Sequence, residues 1–201
     1  MGYAIGIFLY LLIFGQLTSI SGSLFEYQDY LFLVLGIIFL MSVFFIPKVR
    51  GNLSNHLKKS DVWNVKNLVV SFGSLVVMMV VYKEIIFLDP FAKESVKTAL
   101  RFNLSTDYSP VLFVAMIIIA PLWEEFFFRG MLIGGLRQKL PVWICVILSA
   151  TLFAFLHPLY PLFGFTLAIL YTILFFATKS LWITVIVHSA WNIFIVLTNY
   201  L

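Results

Sequence analysis

The sequence predicts an all-α fold, a polytopic bundle of about seven transmembrane helices, and two observations carry that prediction. Hydrophobic residues make up 62% of the 201 residues and Asp, Glu, Lys and Arg only 11%, where a soluble domain carries roughly 45–50% and about 25%. A water-soluble globule of this size would have too little polar surface to cover itself, so the excess must face lipid, as the mean hydropathy of +1.05 also indicates. The second observation is distribution. The apolar residues fall into long runs without the period-two alternation of a membrane β-barrel, and each run approaches the roughly 20 residues that a helix needs to cross a hydrocarbon core about 30 Å thick.

Seven segments qualify: 3–20, 30–47, 67–88, 109–134, 141–157, 159–178 and 180–200. The first lacks a basic leading region and a small-residue cleavage site, and is expected to stay as a span rather than be removed as a signal peptide. Between the second and third spans, Lys48, Arg50, Lys58, Lys59 and Lys66 mark a cytoplasmic stretch. Seven spans then put Arg137, Lys139 and Lys179 on that same side, against Lys83, Lys93, Lys97 and Arg101 on the other. The expected orientation is N-terminus cytoplasmic and C-terminus outside. Asp89-Pro90 reads as a helix start, and 91–104 is either an amphipathic helix in the membrane interface or an ordinary polar connection.

Several function classes fall away. The single cysteine, Cys145, excludes an intramolecular disulfide framework and a multi-cysteine zinc site. The net charge of +4 comes from basic residues scattered between apolar spans, which is not a nucleic-acid footprint. The expected environment is the lipid bilayer.

The chemistry concentrates in the fourth span, Ala120-Pro121-Leu122-Trp123-Glu124-Glu125-Phe126-Phe127-Phe128-Arg129-Gly130. Each charge at mid-membrane costs roughly 2.5–3.5 kcal/mol on the insertion scale, and three in six residues would total roughly 8–10 kcal/mol uncompensated. Glu125 and Arg129 are four apart, share a helix face and can neutralise each other. Glu124 lies about 100° round the helix and is the poorer partner for Arg129, which leaves its carboxylate for general-base work. The alternative has both glutamates pinning helices through Arg129 or another polar group. Pro121 cannot bond to the carbonyl of Ile117, so a kink is expected just before the charges. The fifth span adds Phe153-x-x-x-His157, and the seventh His188-x-x-x-Asn192, an imidazole and an amide on one helical face. Taken singly, His157 could be a boundary residue and the His188–Asn192 pair interhelical glue; His56 reads as an ordinary loop residue. Together they are an inventory for activating water and stabilising an oxyanion.

Glu124-Glu125-x-x-x-Arg129, Phe153-x-x-x-His157 and His188-x-x-x-Asn192 resemble the three motifs of the CAAX protease and bacteriocin-processing (CPBP) family, intramembrane endopeptidases related to the type II CAAX prenyl endopeptidase. The resemblance divides the chain into N-terminal transmembrane helices of unclear role over 1–108 and a catalytic core over 109–201. It implies hydrolysis of a peptide or membrane-protein substrate by glutamate-activated water. Glu124 would be the base, His157 would help to hold the water, His188 and Asn192 would stabilise the oxyanion, and Glu125 with Arg129 would order the site. The small size is similar to the bacterial members, which implies a bacterial cell membrane and a link to peptide maturation or bacteriocin immunity. Glu and two His could hold zinc, but no His-Glu-x-x-His is present and the glutamate mechanism needs no metal, so no cofactor is expected. Two other classes compete: a non-catalytic bacteriocin-immunity or regulatory protein acting by partner binding, and a small proton-coupled transporter, which the clustering of polar residues in the last four spans disfavours.

One expectation conflicts internally. At 1.5 Å per residue, Glu124 and His188 would lie roughly 8–12 Å from the inner surface and His157 about 24 Å from it, whereas residues of one site share a depth.

Overall fold

The computed structural model describes residues 34, 36–41, 45, 47, 62–88, 113–157 and 160–200. The first expected span, His56 with most of the charged stretch around it, and the 89–104 segment lie outside these residues. Five helices run through the continuous part, and among the described residues there is no strand. They are α1 (Val65–Leu88), α2 (113–136), α3 (Val142–Phe155), α4 (Pro161–Thr178) and α5 (Leu181–Tyr200). Each falls on an expected span, with boundaries shifted by a few residues. The described positions between 34 and 47 are helical as well.

Local chemistry sets the ends. Pro161 opens α4 at a position where its missing N–H has no helical partner to lose. Lys179 closes the same helix in the left-handed region, φ 55°, and its N–H returns to the carbonyl of Phe175. Glycine usually occupies such a position. Pro158 favours an extended conformation at His157, which helps to end α3 just before it.

Three of the helices are long and apolar enough to cross a membrane over Val65–Ile85, Pro161–Thr178 and Leu181–Thr198. The protein is an integral membrane protein. The outer face of α1 is bare hydrocarbon, with Phe72 71% exposed and Val69 66% exposed, as a lipid-facing helix requires. The inner side of α1 docks through Met78 on Phe163, Leu167, Tyr171 and Trp191. A second cluster joins Phe126, Phe127 and Phe128 of α2 to Phe153, Phe175, Leu181 and Val185, with Phe39 edge-on to both Trp123 and Phe127. The polar residues lie between these two clusters, where α2, α3, α4 and α5 meet.

Helix α2 is not a uniform α-helix. A π-helical turn at Ala115–Ile119 precedes a short α segment, Ala120–Glu125, and a second π stretch follows at Phe126–Ile133. The deformation expected at Pro121 therefore takes the form of a widened turn just upstream of it. Such turns are rare and cluster at functional sites.

Helices α3 and α4 cross closely at Gly164. A Cβ there would stand 3.3 Å from the Cβ of His157 and 3.6 Å from the Cα of Ala154. Gly164→Val forces this crossing apart and is expected to cost about 1–3 kcal/mol, the usual range for overpacking. Thermal unfolding in detergent would show it, and an unchanged transition would refute the close approach.

Candidate active site

Helix α2 supplies Glu125 and Arg129 one turn apart, both fully buried. Arg129 Nη1 donates to Glu125 Oε1 at 3.0 Å, the pairing that the spacing predicted. Nη2 donates to the carbonyl of Ala168 on α4 at 2.9 Å, which ties α2 to α4. The guanidinium lies over three rings, with centroids of Phe128, Phe153 and Tyr171 at 5.7, 5.5 and 5.3 Å. Attraction to these ring faces adds to the ion pair in a desolvated setting.

Glu125 Oε1 also accepts from His188 Nδ1 of α5 at 2.9 Å. A carboxylate can only accept, so Nδ1 carries the proton and Nε2 points away from Glu125. His188 Nε2 faces Glu124, 3.8 Å from its Oε2. That oxygen is buried and has no hydrogen-bond partner among the described residues. The two glutamates thus divide as their positions on the helix suggested. Glu125 is held at Oε1 by two donors, its Oε2 having none among the described residues, and Glu124 presents an open carboxylate beside an imidazole.

His157 follows the end of α3. Its Nδ1 donates to the carbonyl of Phe153 at 2.8 Å, which leaves Nε2 uncommitted. Its ring stacks on Phe153 with centroids 4.3 Å apart, and Phe153 lies 6.4 Å from the His188 ring on its other contact. One phenylalanine is therefore in ring contact with both histidines, which brings His157 into the neighbourhood of His188.

This settles the conflict over depth. The spans do not all start at one level, because the α4–α5 turn is recessed among the other helices. Thr178, Ser180 and Leu181 are buried, and Trp182 packs edge-on against Phe126, centroids 6.0 Å apart. Phe126 lies ten residues before the Leu136 end of α2, so α5 begins well inside the level at which α2 ends. His188 then comes level with Glu124, 3.8 Å away side chain to side chain, and Phe153 touches both His188 and His157.

Asn192 lies one turn beyond His188, and its Nδ2 donates to the carbonyl of Met116 at 2.8 Å. Ala120 N–H bonds to Ala115 O, which marks the i to i+5 pattern of a π turn. In that pattern the partner of Met116 O is residue 121, a proline with no N–H to give. Asn192 satisfies the carbonyl that Pro121 orphans. One of its two amide N–H groups is thereby committed to structure, and the other is not.

The sequence reading passed over Tyr171. It is fully buried, its ring lies nearly flat on His188 (centroids 4.5 Å, planes 23° apart), and its hydroxyl has no hydrogen-bond partner among the described residues. One tyrosine in an apolar span gives no signal in a chain that is 18% aromatic. As for metals, no group of three His, Cys, Asp or Glu side chains among the described residues converges as a ligand set.

Removing Arg129 alone would leave Glu125 as a buried, uncompensated charge. Arg129→Met is expected to destabilise by about 3–5 kcal/mol, whereas Glu125→Leu combined with Arg129→Met should recover most of that loss. Denaturation of the single and double variants in detergent measures both, and additive losses would contradict the direct pairing.

Comparison with known proteins bears on this cluster. Residues 106–194 match the family described as Type II CAAX prenyl endopeptidase Rce1-like. A protein of Bacillus subtilis (strain 168), named "Putative membrane peptidase YdiL", is 30% identical over 94 residues, 44% of this chain. The chain spans 37% of that relative's length. No solved structure matches. The matched region runs from the start of α2 into α5 and holds every residue of the cluster, so over residues 106–194 the chain carries the Rce1-like, type II CAAX prenyl endopeptidase sequence pattern.

Proposed function

We propose that the protein is an intramembrane endopeptidase of a bacterial cell membrane that hydrolyses a peptide or membrane-protein segment with water activated by Glu124. The observation that carries this reading is the open Glu124 carboxylate, buried and 3.8 Å from His188 Nε2. At that separation both groups can hydrogen-bond to the same water oxygen. The similarity to a family of prenyl endopeptidases and to a protein named as a membrane peptidase supports the same class of chemistry.

In this reading Glu124 takes a proton from the water as its oxygen attacks the scissile carbonyl carbon. His157 Nε2, left open by the bond from Nδ1 to Phe153 O, helps to hold that water. Negative charge develops on the carbonyl oxygen, and the second amide N–H of Asn192 stabilises it, joined by His188 Nε2 when the ring carries a proton on both nitrogens. Glu124 then returns its proton to the leaving nitrogen as the C–N bond breaks, giving a carboxylic acid and an amine. Glu125 and Arg129 hold the His188 ring and act on the reaction through it. No metal takes part, and the N-terminus faces the cytoplasm.

Glu124→Gln keeps the size and removes the base, so it should lower cleavage by about 10²–10⁴-fold, the range for a positioned acid–base group, without altering thermal stability. Mass spectrometry of small secreted and membrane peptides from cells carrying either form would show products made only by the wild type. Matching profiles would end the protease reading. A chelator should leave cleavage by the purified protein unchanged. Loss of activity on chelation, with recovery on adding zinc, would replace this mechanism with a metal-dependent one.

A further inference from the structure

The donors around His188 are largely committed. Its own Nδ1–H is held by Glu125 Oε1. One N–H of Asn192 is held by the Met116 carbonyl. Arg129 uses Nη1 on Glu125 and Nη2 on Ala168; its Nε has no partner among the described residues, but the guanidinium lies over the rings of Phe128, Phe153 and Tyr171. Against this background stands the hydroxyl of Tyr171, fully buried and without a hydrogen-bond partner among the described residues.

Buried hydroxyls in folded proteins almost always find a partner, and each exception asks for an explanation. The surroundings of Tyr171 supply one. Its ring is fully buried and held by two contacts, the nearly parallel His188 ring at 4.5 Å and the Arg129 guanidinium at 5.3 Å. The hydroxyl therefore has little freedom to swing to another partner. The charges of Glu125, Arg129 and Glu124 all act on it, and Tyr160 is also within its electrostatic reach. A dry, uncommitted donor on a ring stacked against His188, the residue that faces Glu124, is what electrostatic preorganisation requires.

We infer that the Tyr171 hydroxyl is a further catalytic donor of this site, hydrogen-bonding to the carbonyl oxygen of the scissile peptide as charge develops there. This rests on the peptidase reading above. The hydroxyl keeps its proton throughout, so the proton inventory of Glu124 and water is unchanged, and the bonds formed and broken are those already described.

Tyr171→Phe removes the hydroxyl and leaves the ring that packs on His188. The resting protein should then lose an unpaired buried polar group and unfold at a higher temperature, by roughly 2–4 °C. Cleavage should fall by about 10²–10³-fold, the effect of deleting one oxyanion donor. Wild type, Tyr171→Phe and Glu124→Gln would be purified in detergent and incubated with a peptide extract of host membranes, products being followed by mass spectrometry. Higher stability with slower cleavage supports the inference. Lower stability would mean that the hydroxyl is bonded within the resting fold, and an unchanged rate would mean that no reacting oxygen needs it; either overturns the inference while the peptidase reading stands. If wild type and Glu124→Gln give the same products, the peptidase reading fails, and the inference fails with it.

Discussion

The arrangement depends on one buried carboxylate oxygen. Glu125 Oε1 accepts from Arg129 on its own helix and from His188 on α5, and Arg129 extends the connection to the α4 backbone at Ala168. Three helices are joined through a single charged cluster in a setting where apolar packing has little power to choose one arrangement, because lipid tails are as apolar as the side chains. A full charge without partners would be expelled from such a place. With partners on three helices it specifies how those helices meet.

The same constraint creates the open site. Because Glu125 uses Oε1 to hold both cations or donors, His188 is turned so that Nε2 faces Glu124. Adjacent residues on one helix thus receive different environments: Glu125 has one oxygen held by two donors, and Glu124 faces His188 Nε2 at 3.8 Å with an oxygen that no donor holds. The widened turns of α2 contribute as well. The π turn at Ala115–Ile119 accommodates Pro121 and leaves the Met116 carbonyl for Asn192, which adds a second polar tie between α2 and α5 one turn from His188. Aromatic rings surround these groups: Phe153 contacts both His157 and His188, and Tyr171 stacks on His188.

Some of this was legible in the residues. The bundle followed from composition and run length, and the Glu125–Arg129 pair followed from four-residue spacing. His157 was identified by its motif, yet its depth looked wrong, because a sequence does not show that the α4–α5 turn is recessed beside Phe126. Pro121 announced a deformation of α2, but an α-helical count assigns the orphaned carbonyl to Ile117. Only the π pattern moves it to Met116 and so reveals what Asn192 holds.

What the sequence by itself determined is the solvent, the helical class and the identity of the groups that lipid would not tolerate unpaired. These depend on composition and on short-range geometry, since residues four apart on a helix meet whatever surrounds them. The tertiary structure decided which carboxylate is held by donors and which is open, that His188 is the link between them, and that Tyr171 lies on it. Those outcomes depend on the relative height and rotation of four helices. Because polar contacts between α2 and α5 set that height, no single segment of the chain could disclose it.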